Sequence, residues 1–229
     1  IDEANETYTL NVGTASGTGT INDDDAAPTV ASVTPDTEVE GTSLVHTVTL
    51  TNASSSTTNY AYSLTDNTAT GGGVDYTTPP TFSDGVTLNG AGDTLIVPAG
   101  VTSFTITVPT TLDTIDEGAS ETYDLSVGGT AAVGTITDDD GAPTISSVSD
   151  DAQTEATDLT HTVTLSNPSA VATTYSLSLV DGTATGGTDY TNTLTNANFT
   201  NGVTISGGTI TVPAGADSAS RDARTQGDH

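Results

Sequence analysis

The chain has 229 residues and carries 30 aspartate and glutamate residues against two basic ones, lysine and arginine taken together, which gives a formal net charge of −28 at pH 7. This charge argues against binding to nucleic acid or insertion into anionic membranes, because both need clustered lysine and arginine. The absence of cysteine excludes disulfides, thiolate metal sites and thiol catalysis.

The sequence repeats itself at a fixed interval. Residues 6–13 (ETYTLNVG) return 115 positions later as residues 121–128 (ETYDLSVG). Residues 46–50 (HTVTL) return unchanged as residues 161–165. Self-similarity at a constant period is typical of repeated structural units.

The repeat divides the chain into four segments. Residues 1–27 match the last part of a repeat, residues 28–140 make one complete repeat, and residues 141–215 match the first part of a third. We expect residues 216–229, which lose the alternation of apolar residues, to be disordered or foreign to the repeat. Because the pattern opens partway through a repeat, we interpret the chain as an internal piece of a longer array.

Within the complete repeat, apolar and polar residues alternate in several short segments, such as residues 44–50, 104–108 and 123–127. A period of two residues predicts strands with one buried and one wet face. His46 shares the apolar face of its segment, so we expect it in the core, and the same argument applies to His161. Glycine-rich and proline-rich turns separate the strands. About seven short strands in such a length predict an all-β fold, an immunoglobulin-like β-sandwich repeated in tandem.

Acidic residues cluster at matching positions of the repeats. In the complete repeat the candidate ligands are Glu40, Asp75, Asp113, Asp116, Glu117, Glu121, Asp138, Asp139 and Asp140. No lysine or arginine precedes Arg221, so carboxylates that the loops bring together would repel one another. Ca²⁺ takes about six to eight oxygen ligands and would neutralise such a cluster. We therefore predict a calcium site, and the alternatives are solvated acidic faces or plain acidic linkers.

The order of these motifs resembles the Calx-beta domain family. Glu40 comes first, residues 67–76 (NTATGGGVDY) follow, and residues 112–117 (LDTIDE) and 138–140 (DDD) come last. The resemblance implies a seven-stranded immunoglobulin-like sandwich that binds Ca²⁺ through loops at one end. It also implies that the acids named above, except Asp116, are ligands, together with the backbone carbonyl of Ile115.

The two incomplete segments carry parts of the same ligand set. Residues matching its second half are Asp2, Glu3, Glu6, Asp23, Asp24 and Asp25, and residues matching its first half are Glu155 and Asp189. Neither segment alone supplies the full set of the complete repeat.

The tandem, threonine-rich and lysine-free repeats more closely resemble the extender repeats of very large bacterial RTX-type adhesins. That resemblance implies a secreted or cell-surface bacterial protein in which Ca²⁺ stiffens repeats joined end to end. The partners of each repeat would then be neighbouring repeats of the same protein.

Other functions stay open on the sequence. Residues 1–27 of one copy could complete residues 141–215 of another by strand addition, which would give head-to-tail filaments. The sandwiches could also recognise a polysaccharide or a protein, or act as a regulatory calcium sensor. We do not expect an enzyme, because the spacing shows no Ser-His-Asp arrangement and paired carboxylates would lack a tryptophan platform for a sugar.

Overall fold

A computed structural model describes residues 1–223, without the side chains of residues 222 and 223. The chain divides into two compact units: Ile1–Leu112 with Ser120–Thr137, and Asp113–Ala119 with the chain from Asp138 onwards. The described part is all-β apart from a three-residue 3₁₀ helix, Asn196–Asn198. Among residues 1–223, no helix has the length and apolar character that crossing a bilayer requires.

The first unit opens with a two-stranded hairpin. Strand β1 (Glu6–Val12) pairs antiparallel with β2 (Ala15–Ile21), and the connecting Gly13 has a φ of 62°, a left-handed conformation that glycine adopts without strain. The alternating apolar residues of β1 face solvent: Tyr8, Leu10 and Val12 are 60, 61 and 69% exposed.

A two-sheet sandwich follows the hairpin. One sheet has four strands, in the order β3 (Val30–Val33), β5 (Leu44–Leu50), β10 (Ser103–Val108) and β7 (Thr81–Phe82). The other sheet has six strands, in the order β4 (Asp36–Val39), β12 (Thr130–Thr137), β11 (Glu121–Val127), β6 (Thr58–Asp66), β9 (Thr94–Val97) and β8 (Thr87–Leu88).

The sandwich therefore has ten strand segments where the sequence predicts about seven strands. Part of the difference comes from the first strand, which is split between the sheets: β3 pairs antiparallel with β5, and β4 pairs parallel with β12. Pro35 lies at the break, where its missing N–H leaves no donor for a ladder. Segments β7 and β8 add two residues each.

The core between the two sheets follows the predicted alternation. Strand β5 buries Leu44, His46, Val48 and Leu50, and β11 buries Tyr123, Leu125 and Val127. The predictions of an all-β sandwich and of a core histidine at position 46 are confirmed, since His46 is 0% exposed.

The second unit contains two smaller sheets. One has the order β13 (Ile145–Val148), β14 (Leu159–Leu165) and β18 (Ser218–Ala223), and the other has the order β15 (Thr173–Ser176), β17 (Thr209–Val212) and β16 (Thr204–Ser206). Its small core contains Leu165, Val203, Ile210, Val212 and Ala219. The sequence predicts a buried core position for His161, but its side chain is only half-buried.

Within the segment that the sequence predicts to be disordered or foreign to the repeat, Ser218–Ala223 forms strand β18. Ser218 pairs with Thr164 and Arg221 pairs with His161, in the register that Ser103 and Ile106 of β10 adopt on β5. The strand forms without apolar alternation because its ladder bonds come from backbone groups that every residue except proline has. Residues 224–229 lie outside the described residues.

Candidate metal centre

The acidic loop that follows β10 belongs to the second unit, together with the residues that follow β12. Carboxylate oxygens of Glu117 and Asp138 lie within 4.8 Å of one another. So do carboxylate oxygens of Asp139 and Asp140. The structure thus forms two close pairs from four of the residues that the sequence proposes as ligands.

The side chain of Asp138 is fixed by backbone donors. Its Oδ2 accepts from the N–H of Gly118 at 2.9 Å, and its Oδ1 accepts from the N–H of Asp140 at 2.9 Å. These bonds tie the loop to the chain after β12. Each oxygen retains a second lone pair, so the carboxylate can still ligate a cation.

Oδ2 of Asp140 is buried and has no hydrogen-bond partner among the residues that the structure describes. Desolvation, followed by the negative charges of Asp139, Asp138, Asp113 and Asp116, raises the pKa of this carboxyl above its usual value.

The other two acids of the loop, Asp113 and Asp116, make different contacts. Asp113 accepts the N–H of Ile115 on its Oδ1 at 2.7 Å, which shapes the turn into the loop. Asp116 is buried, 8% exposed, and its Oδ2 accepts from the hydroxyl of Ser169 at 3.0 Å. Metal ligation by Asp113, Asp116 and the carbonyl of Ile115 stays a prediction.

Two predicted ligands lie in the first unit. Glu40 follows β4 and is 8% exposed; its N–H donates to the carbonyl of Thr137, the residue that precedes Asp138 in the chain. Glu121 is the first residue of β11 and pairs with Ile136. Their roles as ligands also stay predictions.

Asp75 caps a turn of its own loop, since its Oδ2 accepts from the N–H of Thr70 at 2.6 Å. Asp189 does the same with the N–H of Thr185 at 2.7 Å. Among the described residues, neither belongs to a group of three or more candidate metal-ligating side chains. Glu155, the other predicted partial ligand of this copy, is exposed.

The matching acids near the start of the chain form a similar arrangement. Carboxylate oxygens of Asp23, Asp24 and Asp25 lie within 4.8 Å of one another. Asp23 accepts from the N–H of Glu3 at 3.0 Å and from the N–H of Asp25 at 3.2 Å, as Asp138 does from its own loop. Asp2 is half-buried and Glu6 is exposed at the start of β1.

Sequence reasoning missed the serines that hold two of these acids. Ser169 contacts Asp116, and Ser54 donates to Oδ2 of Asp2 at 2.9 Å. The signal was present in the sequence, because the two serines lie 115 residues apart at matching positions of the repeat.

The chemistry of the donor set fits a hard cation. Its members are carboxylates, with no imidazole or thiolate among them, and Ca²⁺ prefers oxygen ligands of this kind. The buried Oδ2 of Asp140 also lacks the donor that a desolvated carboxylate needs, and a cation would supply the missing interaction.

Comparisons with known proteins agree with this chemistry. A sequence profile of the Calx-beta domain matches residues 23–135 and again residues 138–225. No curated protein sequence matches the chain.

Solved structures give weaker likenesses. One is a crystal structure of CBD12 from CALX1.2, with 17% identity over 85% of this chain and 73% of that chain, at a TM-score of 0.36. Another is the I9–I11 tandem from titin, with 10% identity over 98% of this chain and 65% of that chain, at a TM-score of 0.26. These TM-scores are too low to add to the profile match. Because the two profile matches together cover most of its length, the chain belongs to the Calx-beta domain family.

Proposed function

We propose that the chain is a calcium-stabilised structural segment of a secreted or cell-surface bacterial adhesin, in which Ca²⁺ stiffens the acidic ends of successive repeats. Calx-beta domains are calcium-binding modules, and two of them follow one another here. The adhesin context comes from the tandem, lysine-free sequence pattern. A binding or structural role, rather than catalysis, is consistent with this family.

The observation that carries the proposal is the buried Oδ2 of Asp140 within a group of carboxylates. Folding gathers these charges and removes one oxygen from water without giving it a donor. A bound cation would offset both costs. Glu117, Asp138, Asp139 and Asp140 would hold the ion.

The physical effect of the ion would be on stability and stiffness. A ligand that binds only the folded state stabilises it by RT ln(1 + [L]/Kd), which is about 1.4 kcal/mol at a tenfold excess over Kd. Extracellular calcium modules have Kd values of roughly 10⁻⁴–10⁻³ M, so the response should fall in the millimolar range. A change of about 1 kcal/mol moves the Tm of a 60–100-residue domain by roughly 4–8 °C.

Thermal unfolding tests this directly. We expect the Tm to rise by several degrees between excess EDTA and 10 mM CaCl₂. NaCl at matched ionic strength controls for screening of surface charges, and MgCl₂ controls for any divalent cation. Equal Tm values in EDTA and CaCl₂, with no heat in a calorimetric Ca²⁺ titration, would rule the function out.

Head-to-tail filament formation is a second candidate function, and three observations favour it. The apolar face of β1 is exposed, whereas the matching Tyr123, Leu125 and Val127 of β11 are each 0% exposed. On β13, Val148 is 58% exposed, whereas the matching Val33 is 7% exposed. Strand β18 supplies the position that β10 fills in the complete sandwich. The β1–β2 hairpin of one copy could therefore complete the second unit of another copy by strand addition.

Light scattering at increasing protein concentration tests filament formation. We expect the mass to grow with concentration, and Leu10→Asp to abolish that growth by placing a charge on the docking face. Thr9→Asp is the matched control, because Thr9 points to the opposite side of the strand. A constant monomer mass at all concentrations would exclude strand exchange.

A further inference from the structure

The segment around Asp116 is held by a set of hydrogen bonds to residues 168–170. The N–H of Asp116 donates to the carbonyl of Pro168 at 3.1 Å, and its carbonyl accepts from the N–H of Ala170 at 2.9 Å. The hydroxyl of Ser169 lies 3.0 Å from Oδ2 and 3.0 Å from the carbonyl oxygen of Asp116. Ser169 is 3% exposed, so water does not compete for these bonds.

The same set recurs near the start of the chain. The N–H of Asp2 donates to the carbonyl of Ala53 at 3.0 Å, and its carbonyl accepts from the N–H of Ser55 at 2.8 Å. The hydroxyl of Ser54, which is 4% exposed, donates to Oδ2 of Asp2 at 2.9 Å. Each set lies within one of the two units. Because the same hydrogen bonds form at matching positions of two repeats, we interpret them as a regular structural feature of the repeat.

An asparagine lies two residues before each of these serines, in the same loop (the serine loop), and its side chain makes a further hydrogen bond. The amide nitrogen of Asn52 donates to the carbonyl of Ala26 at 2.8 Å, and that of Asn167 donates to the carbonyl of Gly141 at 3.0 Å. Ala26 and Gly141 lie just after the acidic triplets, on the chain that connects one repeat to the next. Asn52 begins an Asn-x-Ser sequence, and this bond gives its side chain a structural role.

We infer that residues 52–54 and residues 167–169 form a docking surface for the Ile-Asp-Glu segment of the preceding repeat, and that docking is coupled to calcium binding beside that segment. The coupling rests on the proposed calcium function, whereas the docking surface rests on the hydrogen bonds alone.

The coupling follows from the position of Asp116 in its loop. Its neighbour Glu117 has oxygens close to those of Asp138, and Gly118 donates its N–H to Asp138. One short segment therefore has two attachments. Asp116 contacts Ser169, and the next two residues, Glu117 and Gly118, approach Asp138. An ion that orders this segment raises the equilibrium constant for docking. Docking must then raise the affinity for the ion by the same factor, because coupling between two binding equilibria is reciprocal.

Amide hydrogen exchange in EDTA tests the docking surface without metal. Ser169→Ala should speed exchange of the Ala170 amide and leave the Ser55 amide unchanged. Ser54→Ala, the matched variant at the other surface, should do the reverse. Ser169→Thr keeps the hydroxyl and should preserve slow exchange at Ala170, which separates loss of the bond from general disturbance of the loop. Unchanged exchange at Ala170 in folded Ser169→Ala would overturn the docking surface.

A calcium titration followed at the Gly118 amide tests the coupling. We expect Ser169→Ala to move the midpoint to an at least fivefold higher Ca²⁺ concentration, a typical coupling factor, although Ser169 is not a ligand. Ser54→Ala should leave that midpoint unchanged. An equal midpoint in the wild type and Ser169→Ala would refute the coupling and leave the calcium function intact. Absence of any Ca²⁺ response in the wild type would instead refute the calcium function, and the exchange data would still decide the docking surface.

Discussion

The hydroxyl of Tyr123 donates a hydrogen bond of 2.8 Å to Nε2 of His46, which joins the two sheets of the complete sandwich through its core. Both side chains are 0% exposed. Nδ1 of His46 lies 2.8 Å from the carbonyl oxygen of Thr34, which can only accept, so Nδ1 carries the proton and Nε2 is the acceptor. The Tyr123 hydroxyl donates in this way only to a neutral imidazole, which is the form that burial of His46 favours by lowering its pKa.

Removing this hydroxyl should destabilise the sandwich. Tyr123→Phe leaves Nε2 of His46 buried without a donor, which costs about 1–3 kcal/mol of unfolding free energy. The measurement is urea denaturation in EDTA, followed through amide signals of β5 and β11.

Tyr62→Phe is the matched control for that change. Tyr62 is also a buried tyrosine, but within residues 1–223 its hydroxyl has no hydrogen-bond partner, and burial raises its pKa to about 12. Its loss should therefore be neutral or stabilising. Equal destabilisation by both variants would mean that the His46 bond contributes nothing.

Stability should fall at mildly acid pH because of His46. Burial lowers its pKa from the usual 6.5, and the Thr34 carbonyl and the charge of Asp36 only partly oppose this. The unfolded chain then binds the proton more readily than the folded one. The contribution of neutral His46 is complete above about pH 6.5 and is lost as the pH falls through the lower folded pKa.

The measurement is the difference in unfolding free energy between the wild type and His46→Gln, taken in EDTA from pH 7.5 to 5. Glutamine does not titrate, so shared contributions from the carboxylates cancel. We expect the wild type to lose stability relative to the variant as the pH falls. A constant difference, or an NMR midpoint for His46 at or above 6.5, would contradict the prediction.

Asp140→Asn should have opposite effects with and without calcium. In EDTA it removes one charge from a repelling group whose crowding raises the pKa of Asp140, so the Tm should rise. In 10 mM CaCl₂ it removes a ligand, so the gain in Tm over EDTA should shrink. Asp124→Asn removes an equal charge from an exposed position on β11 and should leave the calcium-dependent gain unchanged. The same gain in all three proteins would show that Asp140 does not take part in binding.

Gly134→Ala should destabilise the complete sandwich by about 1–3 kcal/mol, as overpacking of a core does. Gly134 lies opposite Tyr123 across β11 and β12, and a Cβ there would lie 2.1 Å from Cζ of the tyrosine ring. Gly90→Ala is the control, because its Cβ would meet nothing within 4 Å and its backbone is not left-handed. Urea denaturation compares the two, and a neutral Gly134→Ala would show that the ring can move aside.

The sequence by itself determined the repeat, the alternating strands, the core position of His46 and the places where acids cluster. These are local properties, because a period of two residues sets which side chains face inward, whatever the rest of the fold does. The same alternation failed for His161, because burial also needs strands that cover the face, and the described residues of the second unit include none equivalent to β11 and β12.

Tertiary structure alone decided the direction of Asp116 and the strand at Ser218–Ala223. Asp116 meets a serine 53 residues away, and no local pattern separates it from Glu117, whose side chain approaches Asp138 instead. Strand β18 forms because the edge of β14 offers backbone donors and acceptors in register, and these groups are the same for almost every residue type. Contacts of that kind depend on which distant segments meet, and the alternation of residues within one segment does not predict its distant partner.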